Sequence, residues 1–224
     1  MKLASVLTVL TALLLRKVPS PFWRFRQRFY LSVKNSGLVL SSRLRHSNIQ
    51  VPLDIGDWVQ YWMYMDGAYE REMVDYLEPE VRGRVFLDIG ANVGNYTLTL
   101  CRSAKHIYAF EASKKNVEIL TRAVGLVGNI NNVTILHNAV SSTSDEIVRL
   151  FLSEDASGNH SQFLGDTGRS ENVATLSLDD FVLRFDAEEI AVIKMDIEGA
   201  EFLAIEGGKR LLKQKRPVMV VEFN

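Results

Sequence analysis

The chain has 224 residues, 47% of them apolar, with a single cysteine, four histidines and a formal net charge of −1. That length and apolar share suffice for one substantial core plus an appendage. Cys101 alone excludes an intramolecular disulfide framework, and His46, His106, His137 and His160 lack the spacing of a structural zinc or haem site.

The near-neutral total conceals two unlike parts. Residues 1–53 hold nine Lys or Arg and no acid, whereas the other 171 residues hold 17 bases against 27 acids, a net −10. A basic segment (1–53), a helical lead-in (54–84) and a main domain (85–224) are expected, with different jobs. The run "LASVLTVLTALLL", residues 3–15, predicts a helix about 20 Å long, short of a ~30 Å hydrocarbon core. Its apolar positions recur at helical spacing opposite Ser5, Thr8 and Thr11, and "PFWRFRQRFY" then interleaves aromatics with arginines. That combination suits a membrane surface. A signal peptide, an acid-free organelle transit peptide and a helix that packs its stripe on its own domain stay open. The compartment is accordingly cytoplasmic or peripheral to a membrane, with organelle targeting open. No RNA-binding signature, zinc finger or basic zipper accompanies the cations, so nucleic acid is not an expected partner.

From Val85 onward strands and helices alternate. "VFLDIG" reads as a buried strand and "NYTLTLCRSA" as the helix after it. "HIYAFE" is a second strand, followed by the helix "SKKNVEILTRAVGLVGN", with Ser113 placed to cap its start and Gly128 to end it. "VTILHNAV", "IAVIKMDIEG" and "PVMVVEFN" supply three more strands, with a helical "EFLAIEGGKRLLKQ" bounded by Pro217 before the last. "EIVRLFLSE" and "NVATLSLDDFV" flank a polar loop, 155–172, expected to pass over the site. The pattern predicts an α/β fold with a doubly wound, Rossmann-like parallel sheet.

Ligands of such sheets bind beyond the carboxyl ends of the central strands, and the unusual residues collect there. Asp88 closes the first strand, Gly90 and Gly94 allow torsions and approaches that a Cβ would obstruct, and Glu111 ends the second strand, where a carboxylate can accept from ribose hydroxyls. Asn92 and Asn95 stand where a dinucleotide fingerprint needs glycines, and there is no phosphate-cradling G-x-x-x-x-G-K-[ST]. D-x-G-x-x-x-G therefore fits a nucleoside ligand with no phosphate to cradle, such as S-adenosylmethionine.

Seven segments, "DGAYERE", "FLDIGANVGNYTL", "YAFEASKKNVEIL", "NAVS", "TLSLDDF", "IKMDIEGAE" and "PVMVVEFN", together resemble the FkbM-type S-adenosylmethionine-dependent methyltransferases from about Gly67 to Asn224. The resemblance implies the class I methyltransferase sheet and O-methylation of a hydroxyl on a sugar or secondary metabolite. It places Asp88, Gly90, Asn92, Gly94 and Glu111 on the cofactor, with Asn138 and Ala139 near the adenine. A hydroxyl acceptor needs a base, and "KMDIEGAE" offers Asp196 first and Glu198 second, while Glu198 and Glu201 could instead begin the next helix. Lys194, on the same strand face as Asp196, could pair with a carboxylate. No metal is assigned. The class I sheet normally continues with a helix and an antiparallel hairpin, so the chain reads as C-terminally incomplete. Two rival readings are a membrane-associated interaction protein that keeps the fold without turnover and a nicotinamide-dependent oxidoreductase.

Overall fold

The computed structural model describes residues 3–17, 23–152, 169–187 and 189–223. The polar excursion expected over 155–172 falls almost wholly outside the described residues.

The N-terminal part holds α1 (Leu3–Leu15), α2 (Trp23–Val33), an antiparallel hairpin of β1 (Val39–Arg43) and β2 (Gln50–Asp54), then α3 (Trp58–Asp66) and α4 (Arg71–Val81). The hairpin runs across the end of the basic segment and was not legible there, because its turn is carried by His46 and Asn48 at positive φ rather than by glycine. Asp57 caps α3 by accepting from the Gln60 amide, and Gly67 ends it in the left-handed conformation.

The main sheet follows: β3 (Val85–Ile89), α5 (Asn95–Leu100), β4 (His106–Glu111), α6 (Lys114–Val127) and β5 (Val133–His137). The chain then makes β6 (Ala139–Val140), β7 (Ile147–Phe151), β8 (Ser170–Leu176), α7 (Leu178–Phe185), β9 (Ile190–Met195), α8 (Glu201–Gly207), α9 (Lys209–Lys215) and β10 (Val218–Val221). Five strands pair in the order β10-β9-β3-β4-β5, all parallel. Every residue of β3 is buried, as a strand covered on both faces requires. Phe86, Ile107, Ala109 and Val192 face a cluster completed by α3 to α6, whereas Leu87, Ile89, Phe110, Ile193 and Met195 face α7, α8 and α9. This is the doubly wound α/β architecture expected.

Three expectations need correction. "VTILHNAV" is two strands: Asn138 interrupts it, its side-chain amide donating to Ala174 O, and β6 joins β8 and β7 in a second sheet. "EFLAIEGGKRLLKQ" is two helices broken at Gly208, where the chain passes close to its own backbone; a Cβ on the adjacent Gly207 would stand 2.1 Å from Ser141 O. Ser113 occupies the N-cap position of α6 but makes no side-chain cap bond, while Gly128 ends that helix in the left-handed conformation as expected.

Candidate active site

Because β3 has β4 on one side and β9 on the other, the chain leaves its central strand at a topological switch, where the loops diverge and open a crevice. Backbone bonds stitch the strand ends together: the Gly90 and Ala91 amides donate to Phe110 O (3.0 and 2.8 Å), Asp196 N to Ile89 O (3.0 Å) and Glu222 N to Met195 O (3.0 Å). Gly90 has φ +80°, and a Cβ there would lie 1.8 Å from Asp196 O; Gly94 has φ +94°, and its Cβ would meet Leu120 Cδ1 at 2.4 Å. Both glycines thus have a reason internal to the chain, where close approach of a ligand was expected to supply it.

Asp88 is fully buried. Its Oδ2 accepts from the Thr97 amide (3.0 Å) and hydroxyl (2.6 Å), which fixes the start of α5. Its Oδ1 has no partner among the described residues. Burial pushes this carboxyl above its ordinary range, against the opposing pull of Lys194 and of the Thr97 bonds. Glu111, at the end of β4, accepts from the Ser113 amide at Oε1 and the Asn92 amide at Oε2, both at 2.7 Å. Burial nevertheless raises its pKa to about 7. Asn92, at φ +53°, also accepts from Asn116 Nδ2 at 3.1 Å, so the β3 and β4 loops interlock through Glu111, Asn92 and Asn116. Asn138 and Ala139 lie at the carboxyl end of β5, the next strand along, with Asn138 half-buried and Ala139 buried.

The other wall is acidic. Lys194, almost wholly buried near the end of β9, places Nζ 3.4 Å from Asp196 Oδ2 and 4.9 Å from the ring centre of Tyr96. The Tyr96 hydroxyl donates to Glu70 Oε2 at 2.5 Å, and burial holds the phenol well above its ordinary range. Glu198 sits at φ +53° in the turn before α8; burial first, then Asp196 and Glu222, raise its pKa. Glu201 begins α8 and accepts from the Ile197 and Gly199 amides, a structural task. Asp196 and Glu198 thus share the crevice with Glu222, whose carboxyl is raised chiefly by Asp196. Among the described residues no group of three or more His, Cys, Asp or Glu is arranged to hold a metal ion.

Glu70, Tyr96, Asn116 and Glu222 were missed from the sequence. Glu222 carried a readable signal: it follows β10 as Asp196 follows β9, an acid beyond a strand end. "DGAYERE" also gains a structural role, since Asn95 clamps Tyr69 from both sides, accepting from its amide (2.8 Å) and donating to its carbonyl (2.9 Å), which carries Glu70 to Tyr96.

The chain is similar to hexuronic acid methyltransferase AglP of Haloferax volcanii, 26% identical over 166 residues that cover 72% of this chain and 65% of that protein. It is also similar to the crystal structure of methyltransferase FkbM from Methylobacillus flagellatus (TM-score 0.45, 18% identity, 62% of this chain and 32% of that one). The PRMT6–SAH crystal structure matches with a TM-score of 0.44 and 19% identity over 72% of this chain and 44% of the other. The chain therefore spans just under two thirds of the curated relative and a third of the FkbM structure. Residues 88–224 match the methyltransferase FkbM domain, and the chain belongs to that family.

Proposed function

We propose that the chain is an S-adenosylmethionine-dependent methyltransferase acting on a hydroxyl of a small molecule, a sugar or a secondary metabolite. The observation that carries this reading is the pair of buried carboxylates, Asp88 and Glu111, ending adjacent strands at the switch point, with Asp88 Oδ1 and Ser113 Oγ buried beside them and lacking protein partners. Buried polar atoms are normally satisfied, so two orphans near the ends of adjacent strands suit a ligand rich in hydroxyl and amino donors. Each Glu111 oxygen accepts one backbone amide and keeps further acceptor capacity, which a ribose diol can use. Glu111 and Asp88 would hold the cofactor with Gly90, Asn92 and Gly94, and Asn138 and Ala139 would border the adenine.

Bound there, the cofactor supplies an electrophilic methyl on an excellent leaving group. The chain's own residues then have to align the acceptor oxygen, exclude water and take one proton. Asp196 would orient the hydroxyl and accept its proton, with Lys194 at 3.4 Å offsetting the neighbouring carboxylates; Glu198 and Glu222 would border the acceptor. The similarity to a hexuronic acid methyltransferase of Haloferax supports a sugar acceptor.

Calorimetric titration of the folded chain with S-adenosylmethionine and, separately, with NAD tests the reading. Saturable binding of the first alone, lost in Glu111→Ala, is expected. Asp196→Asn should keep binding and lower turnover by about 10²–10⁴-fold. NAD binding without S-adenosylmethionine binding overturns the proposal, and cofactor binding with no transfer to any hydroxylated acceptor favours a non-catalytic role.

A further inference from the structure

Helix α1 docks through its last turns, not through its apolar stripe. Ala12 is fully buried and Leu15 partly so. Arg26 of α2 closes the helix end: Nε donates to Leu15 O at 3.1 Å, one terminal nitrogen reaches Arg16 O at 3.4 Å, and the other pairs with Asp66 at 2.6 Å. The stripe itself faces outward. Val6, Leu7, Leu10, Leu13 and Leu14 are 40, 68, 51, 48 and 67% exposed, the reverse of a core face. On α2, Trp23, Phe25 and Leu31 are exposed as well, as are the cations Arg24 and Arg28 of the same helix and Lys17 just after α1.

We propose that α1 and α2 form a docking surface for an anionic lipid bilayer. Contiguous exposed apolar surface rimmed by cations is the composition of an interfacial helix. The leucines enter the acyl boundary while Lys17, Arg24 and Arg28 meet lipid phosphates. No helix among the described residues is long and apolar enough to cross a membrane, so the contact lies in the plane of the surface. Charge selects this occupant over a second copy of the chain: α1 and α2 carry no acid, and apposing two such faces would bring the exposed cations Lys17, Arg24 and Arg28 of each copy together. The proposal stands apart from the methyltransferase reading, since none of these residues reaches the crevice.

The test is co-sedimentation of the full chain with vesicles of phosphatidylcholine alone and of phosphatidylcholine mixed with phosphatidylserine. Partition into the mixed vesicles is expected, weakening with salt. The combined variant Leu7→Gln, Leu10→Gln, Leu14→Gln should bind about ten-fold or more weakly, and Arg24→Gln with Arg28→Gln should lose the preference for the anionic lipid. Circular dichroism checks that both variants fold. The proposal is overturned if the wild-type chain stays in the supernatant, if the leucine variant sediments as the wild type does, or if sedimentation velocity shows a dimer that this variant dissolves.

Discussion

Replacing Gly90 by alanine puts a methyl group where the structure has the carbonyl of Asp196, 1.8 Å from its oxygen and 2.9 Å from its carbon. Restoring an ordinary contact requires the ends of β3 and β9 to separate by roughly 1.5 Å or more. The neighbour is backbone, held by the 3.0 Å bond from Asp196 N to Ile89 O, and cannot swing aside as a side chain tip can. Forcing alanine into φ +80° adds about 1–2 kcal/mol, overpacking about 1–3, and losing the strand-end bond about 1. Together these destabilise by roughly 3–6 kcal/mol, a large share of the ~5–15 kcal/mol that holds a domain together. Gly94→Ala is the built-in comparison: its φ is also positive, but the clash is with the tip of Leu120, which can move. Urea unfolding of both variants should place Gly90→Ala well below Gly94→Ala in midpoint. A Gly90→Ala protein within about 1 kcal/mol of the wild type, or as stable as Gly94→Ala, would refute the steric account.

Glu111 has a pKa raised from 4.5 to about 7, so as pH climbs between those values the unfolded chain releases this proton before the folded one and stability falls, by about 3 kcal/mol in all. Glu111→Gln should lack that decline in urea midpoints measured across the same window; parallel curves for variant and wild type would sink the assignment. Lys194→Met keeps an apolar stem but leaves Asp88, Glu198 and Glu222 without the cation that opposes their upward shifts. It should destabilise by about 3 kcal/mol at neutral pH, with the deficit shrinking as acid neutralises those carboxyls; a deficit independent of pH would argue for packing alone. Arg26→Met removes the charged group that joins Asp66 to the end of α1, and should cost about 3 kcal/mol in unfolding experiments and speed amide exchange in α1. Unchanged exchange there would show that α1 is held by other contacts.

The parallel sheet was legible because its strands read as short apolar runs, with β3 buried throughout, and because the helices between them carry their own stop signals, such as Gly128 or Pro217. Within the site, Asp88, Glu111 and Asp196 were legible as acids at strand ends. Their tasks were less so. The bond from Asp88 to Thr97 and the clamp on Glu111 by the Asn92 and Ser113 amides depend on side-chain direction, which spacing does not report. Glu70 could not be placed at all, since it arrives from an earlier helix junction through Asn95 and Tyr96. The hairpin β1–β2 escaped because its turn uses left-handed His46 and Asn48. The break in the helix after Glu201 escaped because a Gly-Gly pair reads as a weak helix, and Ser141, whose backbone Gly207 approaches closely, is distant in sequence.

The match to the family domain begins at Asp88, inside β3 rather than before it. That match is therefore smaller than what must fold together. The apolar cluster that backs the sheet gathers Tyr30, Val51, Ile55 and Tyr64 with Leu98, Leu120 and Val192, so the helices and hairpin that precede the recognisable stretch form one wall of the same interior. Excising residues 88–224 along the line of resemblance would cut the central strand and strip that wall from α6. The stretch that the family domain matches and the unit that folds do not coincide here, and any substitution in the helices and hairpin before β3 has to keep filling one side of a shared core.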